Sequence, residues 1–314
     1  MKFGIVSLGN HALNRIVPAI LSSGNTIGGV YSTNQKKATE FSKKYDCNQH
    51  GVLEELLKDE IDAVYISSPN FLHYDYSMAA FRHGKHVFLE KPMTLTVEHA
   101  EELIKTSSEM NLKLGIGFHM RFHPATDMIK KKLDDGSIGD ISYAEASWGS
   151  YSQGSRTEPE RNWWSDDSKA GGGSIMGTGV HLLDFMNYIF GRAPDEVMGI
   201  KSPSEEIIDE TRVVLLRFGN ALATINSSRK YYHADNSLRI FGTHGTIEAR
   251  DIFSTVVSGE LLISGKPVTE FHGGENMYEM EIKAFVDLVN GRSTRIAKGI
   301  DGLAVVKETL ASTK

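Results

Sequence analysis

Cysteine is nearly missing from this chain of 314 residues, with Cys47 as the one example. A single thiol builds neither a disulfide framework nor a cysteine-rich zinc site, and it suits a reducing compartment. Long apolar runs are absent too: no window approaches the roughly 18 consecutive apolar residues of a membrane span. Met1 to Val6 read directly as strand, without the apolar core and cleavage site of a secretory signal. Positive charge is in deficit, 34 Lys and Arg against 40 Asp and Glu, for a net charge of −6. The basic triplet Lys130-Lys131-Lys132 reads as a solvated helix face, so neither nucleic acid nor membrane is an expected partner. No HExxH, Cys–His cluster or carboxylate-rich loop occurs, and no catalytic metal is expected. Hydrolase and phosphoryl-transfer readings lack a G-x-S-x-G elbow or a Walker loop. These absences leave a soluble, cytoplasmic α/β protein.

At roughly 150 residues per domain the length predicts two domains. Up to residue 120, short apolar runs alternate with amphipathic stretches. Phe3–Val6, Ile27–Tyr31, Ala63–Ile66, His86–Leu89 and Leu112–Ile116 read as buried strands. Gln35–Tyr45, Tyr74–His83 and Val97–Met110 read as helices, the last capped by Thr96. This alternation implies a doubly wound parallel sheet of Rossmann type. Pro18 falls inside the first predicted helix and should kink it. After residue 121 strands dominate: Ile141–Trp148, Val197–Lys201, Thr211–Phe218, Ala221–Ser227, Leu238–Phe241 and Thr255–Val257, with a tight hairpin at Gly219-Asn220. Helices are expected at Val180–Phe190 (stopped by Gly191), Glu279–Asn290 and from about Gly299. The expected division is therefore 1–120, a dinucleotide-binding domain, and 121–314, an α+β domain with a mostly antiparallel open sheet.

Chemistry concentrates at strand ends. Ser7-Leu8-Gly9-Asn10-His11-Ala12 is a degraded G-x-G-x-x-G/A fingerprint, in which Ser7 stands for the first glycine. Gly9 would let backbone approach a pyrophosphate, and the following helix N-terminus would supply N–H groups; an ordinary structural turn is the alternative. The second strand ends Tyr31-Ser32-Thr33-Asn34 without the acid that usually binds ribose hydroxyls, and Lys36-Lys37 follow. Ser32, Thr33 and Lys37 suit a 2′-phosphate, so NADP(H) is preferred and NAD(H) remains open. Ser67-Ser68-Pro69-Asn70, with His73 beyond, and Glu90-Lys91-Pro92 also lie at strand carboxyl ends, where doubly wound sheets bind ligands. Pro92 removes a ladder donor and suits a cis bond. Lys91 there could stabilise alkoxide charge as hydride leaves. Three glycines, Gly171-Gly172-Gly173, suggest a loop pressed against a ligand or another backbone, and His181 follows in the first turn of an apolar helix. His119 and His123 carry less weight, since they flank a predicted strand end.

Together these stretches resemble the glucose–fructose oxidoreductase / inositol dehydrogenase / MocA oxidoreductases. The most specific are Asp62 to His73, Gly84 to Pro92, Gly171 to Asp184 and Gly242 to Glu248. Ser7, Ser32 and Thr33 are most similar to the NADPH-dependent 1,5-anhydrofructose reductase branch. The resemblance implies hydride transfer between nicotinamide and a sugar or polyol, and a homodimer or homotetramer built through the C-terminal sheet. It implies Lys91 at the reacting oxygen and nicotinamide ribose, and His181 as proton donor or acceptor. It also implies that Arg121, Trp163 and Tyr278 meet the cofactor, with Arg121 and Trp164 meeting the substrate. Two departures stand out. Gly177 occupies the position where the family usually carries Asp, and Trp164 stands where the branch has Arg. The alternative to an enzyme is a non-catalytic nicotinamide-nucleotide-binding sensor or regulator that kept the fold.

Overall fold

The computed structural model describes residues 1–151, 163–232, 234–274 and 276–313. By contact the chain forms two compact units, Met1–Phe118 with Tyr278–Val306, and His119–Met277 with Lys307–Lys314. A linear division at residue 120 leaves out the return of 278–306 to the first unit. Phe285, on the helix Met277–Val289, makes that return: its ring lies 5.2 Å from Phe88 and 6.1 Å from Phe3. Burying such a side chain stabilises by about 2–3 kcal/mol, so the segment belongs to that core.

The first unit holds six parallel strands, β1 (Lys2–Val6), β2 (Thr26–Tyr31), β3 (Asn48–His50), β4 (Ala63–Ile66), β5 (His86–Leu89) and β6 (Leu114–Ile116). Their order is β6-β5-β4-β1-β2-β3, and Ala297–Lys298 adds an antiparallel edge beside β6. All four residues of β4 are buried, which explains its unbroken apolar run. Helix Gln35–Tyr45 starts at Asn34, whose side chain accepts from the Lys37 N–H at 3.0 Å. Helix Val97–Glu109 starts at Thr96, which accepts from the His99 N–H at 3.2 Å. Pro18 is accommodated without a break. A wide π-helical stretch, Ala12–Ile16, precedes the α-helix Val17–Ser22, and the proline falls in its first turn, where an N–H is dispensable.

In the second unit lie β7 (Ile141–Gly149), β8 (Glu196–Ser202), β9 (Thr211–Phe218), β10 (Ala221–Ser228), β11 (Leu238–Gly242), β12 (Thr246–Arg250), β13 (Ser258–Ile263) and β14 (Lys266–His272). They form one sheet, ordered β14-β13-β12-β11-β7-β10-β9-β8, antiparallel except where β10 meets β7. The Gly219-Asn220 hairpin forms as expected, with Phe218 opposite Ala221 and Gly219 at φ 63°. Thr255–Val257, expected as strand, is bend instead, and the strand begins at Ser258. Pairing decides this, because β13 needs Ile247 and Phe271 as neighbours of its own register. Helix Val180–Phe190 ends at Gly191, φ 69°, as the sequence implies. Lys130 to Lys132 do ride a helix, Pro124–Asp134, with Lys130 3.3 Å from Asp134 and Lys132 3.4 Å from Asp135. Among the described residues no helix is long and apolar enough to cross a membrane.

Candidate active site

The first strand-to-helix turn keeps the geometry of a nucleotide fingerprint despite its missing glycine. Ser7 sits at φ 76°, in the left-handed region, and its N–H donates to the Tyr31 carbonyl at 2.8 Å. Gly9 and Asn10 are exposed, and a Cβ built on Gly9 meets nothing within 4 Å. Packing among the described residues therefore does not demand glycine at position 9. The first helical turn leaves its N–H groups without helical partners, on the side open to an anion. This turn fits a pyrophosphate.

Glu90 organises the rim beside it. Tyr65 Oη donates to Glu90 Oε1 at 2.8 Å, and His11 Nε2 lies 3.3 Å from the same oxygen. His11 in turn meets Tyr278 edge-on, with ring centroids 5.2 Å apart. Gly117 makes room for the carboxylate, since a Cβ there would come within 3.1 Å of Glu90 Oε1. Burial pushes the Glu90 pKa up, but the charges of His11 and Lys91 and the Tyr65 hydroxyl outweigh it and bring it to about 2. Lys91 follows, half-buried, and the Lys91–Pro92 peptide is cis. Ser67 Oγ reaches the Ser7 carbonyl at 3.3 Å, which ties the β4 end to the fingerprint turn. Ser68 and Asn70 are buried, with 6% and 5% exposure.

His73 is enclosed rather than presented. Its Nδ1 lies 2.7 Å from the Pro92 carbonyl oxygen and its Nε2 2.9 Å from that of Ser68. Burial holds its pKa below the ordinary histidine value, against the pull of both carbonyls and of Glu90. At the end of β2, Ser32 is buried and its hydroxyl accepts from the Asn34 N–H at 3.2 Å. Thr33 is exposed and Lys37 half-buried.

The second unit places His181 among rings. Trp148 lies 5.3 Å away at 34°, and His119 4.7 Å away at 77°. His119 Nε2 contacts the Ser254 carbonyl at 3.2 Å. His123, by contrast, caps a helix: its Nδ1 accepts from the Ala125 N–H at 3.1 Å. Burial takes its pKa to about 4, so the ring is neutral and able to accept. Arg121 is held inward by Asp184, with Nε to Oδ2 at 2.9 Å and Nη2 to Oδ1 at 2.6 Å.

Gly173, the third glycine of the loop, is pressed against backbone. A Cβ on Gly173 would fall 1.7 Å from the Asp209 carbonyl oxygen. Asp209, fully buried, fixes the loop by accepting from the Gly173 N–H (3.0 Å), the Ile175 N–H (3.0 Å) and the Ser174 hydroxyl (2.5 Å). Burial raises the Asp209 pKa, yet these donors and Arg212 outweigh it and leave it lowered. At Gly177 a Cβ would meet, among the described residues, only Arg229 Nη2, at 3.8 Å. That guanidinium donates to the Gly173 carbonyl at 2.9 Å and lies 5.3 Å over the Trp164 ring, which itself stacks on Trp163 at 4.4 Å.

Residues 1–118 match the family described as "Oxidoreductase family, NAD-binding Rossmann fold", and residues 126–248 match the "GFO/IDH/MocA C-terminal domain". The chain belongs to the GFO/IDH/MocA oxidoreductases. As a member of that family it is an NAD(P)-dependent dehydrogenase or reductase. The 1,5-anhydro-D-fructose reductase of Ensifer adhaerens is 25% identical over 323 residues, spanning 100% of this chain and 95% of that protein. The uncharacterized oxidoreductase YrbE of Bacillus subtilis is 30% identical over 262 residues, 79% of this chain and 74% of its own. The fold matches that of aldose-aldose oxidoreductase from Caulobacter crescentus complexed with glycerol, with TM-score 0.87, 24% identity and coverage of 98% and 94%.

Three residues that hold the candidate side chains within their own units escape a reading of the sequence. Tyr65 and Asp209 carry no local signal, because their partners lie 25 and 34 to 36 residues away. His119 was visible only as half of an i,i+4 pair with His123, and the structure splits that pair between a ring cluster and a helix cap.

Proposed function

We propose that this enzyme moves a hydride between NADP(H) and a sugar-like or polyol substrate, at a CH–OH carbon or its carbonyl counterpart. Lys91 carries the reading. A half-buried lysine directly after a buried strand, beside a carboxylate shared by Tyr65 and His11, is suited to donate to a substrate oxygen. Its ammonium would stabilise alkoxide charge as that charge develops. His181, backed by the Trp148 ring, gives or takes the proton. The nicotinamide, when bound, supplies or accepts the hydride. Residues 1–120 provide its hold: Gly9 and the N–H groups of Asn10 and His11 at the pyrophosphate, and Ser67 to Asn70 along the rim. Tyr278 adds its ring beside His11. Trp163 and Trp164 form an aromatic wall for ligand within 121–314. Arg121 and His73 act through the protein groups that hold them.

NADP(H) is favoured over NAD(H) because the end of β2 carries Ser32, Thr33 and Lys37 and no acid. Titration with each reduced nucleotide tests this, and tighter binding of NADH overturns it. The sugar-like substrate is supported by the Ensifer reductase, a full-length relative. A cytoplasmic location goes with the single cysteine. A screen of sugars, polyols and their oxidised forms, read by nicotinamide absorbance, tests the whole reading. Turnover at ordinary enzyme rates is expected, and binding of nucleotide without any turnover would favour the sensor.

Exposed apolar side chains on two strands of the second sheet support a homodimer or homotetramer. Met198 and Ile200 on β8 are 60% and 80% exposed, and they pair in register with exposed Leu215 and Val213 on β9. A contiguous apolar patch of this kind marks an interface, here with a second copy. Ile200→Asp should shift the molecular mass seen by light scattering toward the monomer.

A further inference from the structure

His73 opens the helix His73–Arg82 and is 1% exposed. Both of its ring nitrogens face main-chain oxygens, those of Pro92 and Ser68, at 2.7 and 2.9 Å. A carbonyl oxygen only accepts, so the ring supplies the hydrogen to whichever contact forms. Neither acceptor is free to be replaced by ligand, since both are backbone. One belongs to the segment after β4, the other to the segment after β5. The Pro92 carbonyl is one residue beyond Lys91, so a bond to it fixes the main chain from which Lys91 projects. The Ser68 contact holds that same ring to the segment beside the fingerprint turn, because Ser67 Oγ lies 3.3 Å from the Ser7 carbonyl. The charged groups acting on the ring are Glu90 and Lys91, both from the β5 end.

We propose that His73 is a positioning residue for Lys91: its imidazole sits between the Pro92 and Ser68 carbonyls, donates its N–H to one of them and packs against the other, and so sets the lysine against the nucleotide rim without touching ligand. This rests on the reading of Lys91 as the group at the reacting oxygen. A brace acts through what it holds, and that gives a test which a purely structural or a ligand-binding histidine would fail.

The experiment is a double-mutant cycle on the full chain, using His73→Phe, Lys91→Ala and the double variant. Turnover is measured with the best substrate of the sugar screen, and NADPH affinity by fluorescence titration. His73→Phe keeps an aromatic ring of similar size and removes both contacts. It should lower kcat about 10- to 100-fold, the scale of a catalytic group misplaced by an ångström, while the NADPH Kd stays within about threefold. In the Lys91→Ala background the same change should alter residual kcat by less than about threefold. His73→Gln, which keeps one donor, should recover part of the loss; it also carries the cycle if the Phe variant does not fold. An equal loss of kcat with and without Lys91 would overturn the proposal. So would an NADPH Kd that rises as far as kcat falls, which would make His73 a ligand contact. Near-normal turnover by Lys91→Ala alone is a separate result: it removes the functional reading on which the brace depends.

Discussion

Arg121 and Asp184 grip each other through two near-parallel hydrogen bonds, of 2.9 and 2.6 Å, with side chains 6% and 2% exposed. The guanidinium also lies 5.0 Å over the Tyr188 ring. Removing one member would strand the other charge in the interior, which costs about 3–5 kcal/mol. Arg121→Ala should therefore show its first effect in denaturant unfolding of the second unit. Replacing both residues by apolar ones of similar size should recover most of the loss. Full stability in Arg121→Ala would contradict this account of the pair.

Lys91→Ala removes the ammonium that follows β5 and leaves Tyr65, Glu90 and His11 in place. Turnover should fall by orders of magnitude, because stabilisation of developing charge is among the largest catalytic contributions. NADPH affinity should stay close to wild type, as the fingerprint turn is untouched. Steady-state rates alongside nucleotide titration check both halves.

Ser7 adopts a backbone conformation that glycine accepts at no steric cost. For an L-residue the left-handed region costs about 1–2 kcal/mol, partly offset because glycine is looser in the unfolded chain. Ser7→Gly should thus stabilise the chain by about 0.5–1 kcal/mol. Thermal unfolding reads it directly, and a lowered midpoint would mean that the Ser7 side chain contributes more than its strain removes.

Glu308 should make stability fall with rising pH. It is 4% exposed, and burial together with the charge of Asp184 pushes its pKa up to about 8, against the hydrogen bond from Asn187 at 2.7 Å. The folded state then holds a proton that the unfolded chain sheds above about pH 4.5. Stability is lost progressively between pH 4.5 and 8, by up to about 3 kcal/mol at pH 7. Glu308→Gln should flatten that slope, in unfolding curves taken across this range, and be the more stable protein at neutral pH.

What the sequence disclosed depended on how local each signal was. Asn34, Thr96, Gly191 and the Gly219-Asn220 turn act on residues within a few positions, and their helices and hairpin appear where expected. Strands β12 to β14 were missed because exposed charges interrupt their apolar pattern. Arg250 spans two of them, reaching Glu248 on β12 and Glu260 on β13 at 2.9 Å each. The short helix Leu53–Lys58 lacked the length to show a period. Lys91, Gly9 and His181 are candidates on strand-end position and family resemblance alone. The inward turn of Arg121 was not legible, since its partner lies 63 residues on.

The glycines after residue 170 carry an instruction for anyone reshaping this enzyme. Position 173 is closed to every side chain, because the Asp209 carbonyl already occupies the space a Cβ would need. At position 177, one turn before His181, an added Cβ would meet, among the described residues, only the tip of Arg229, at 3.8 Å. A library that randomises the loop as a block would therefore spend most of its members on misfolded chains. One that leaves 173 alone and varies 177 together with 229 would sample charge and size one turn before His181, the proposed proton-transfer residue, on an intact scaffold.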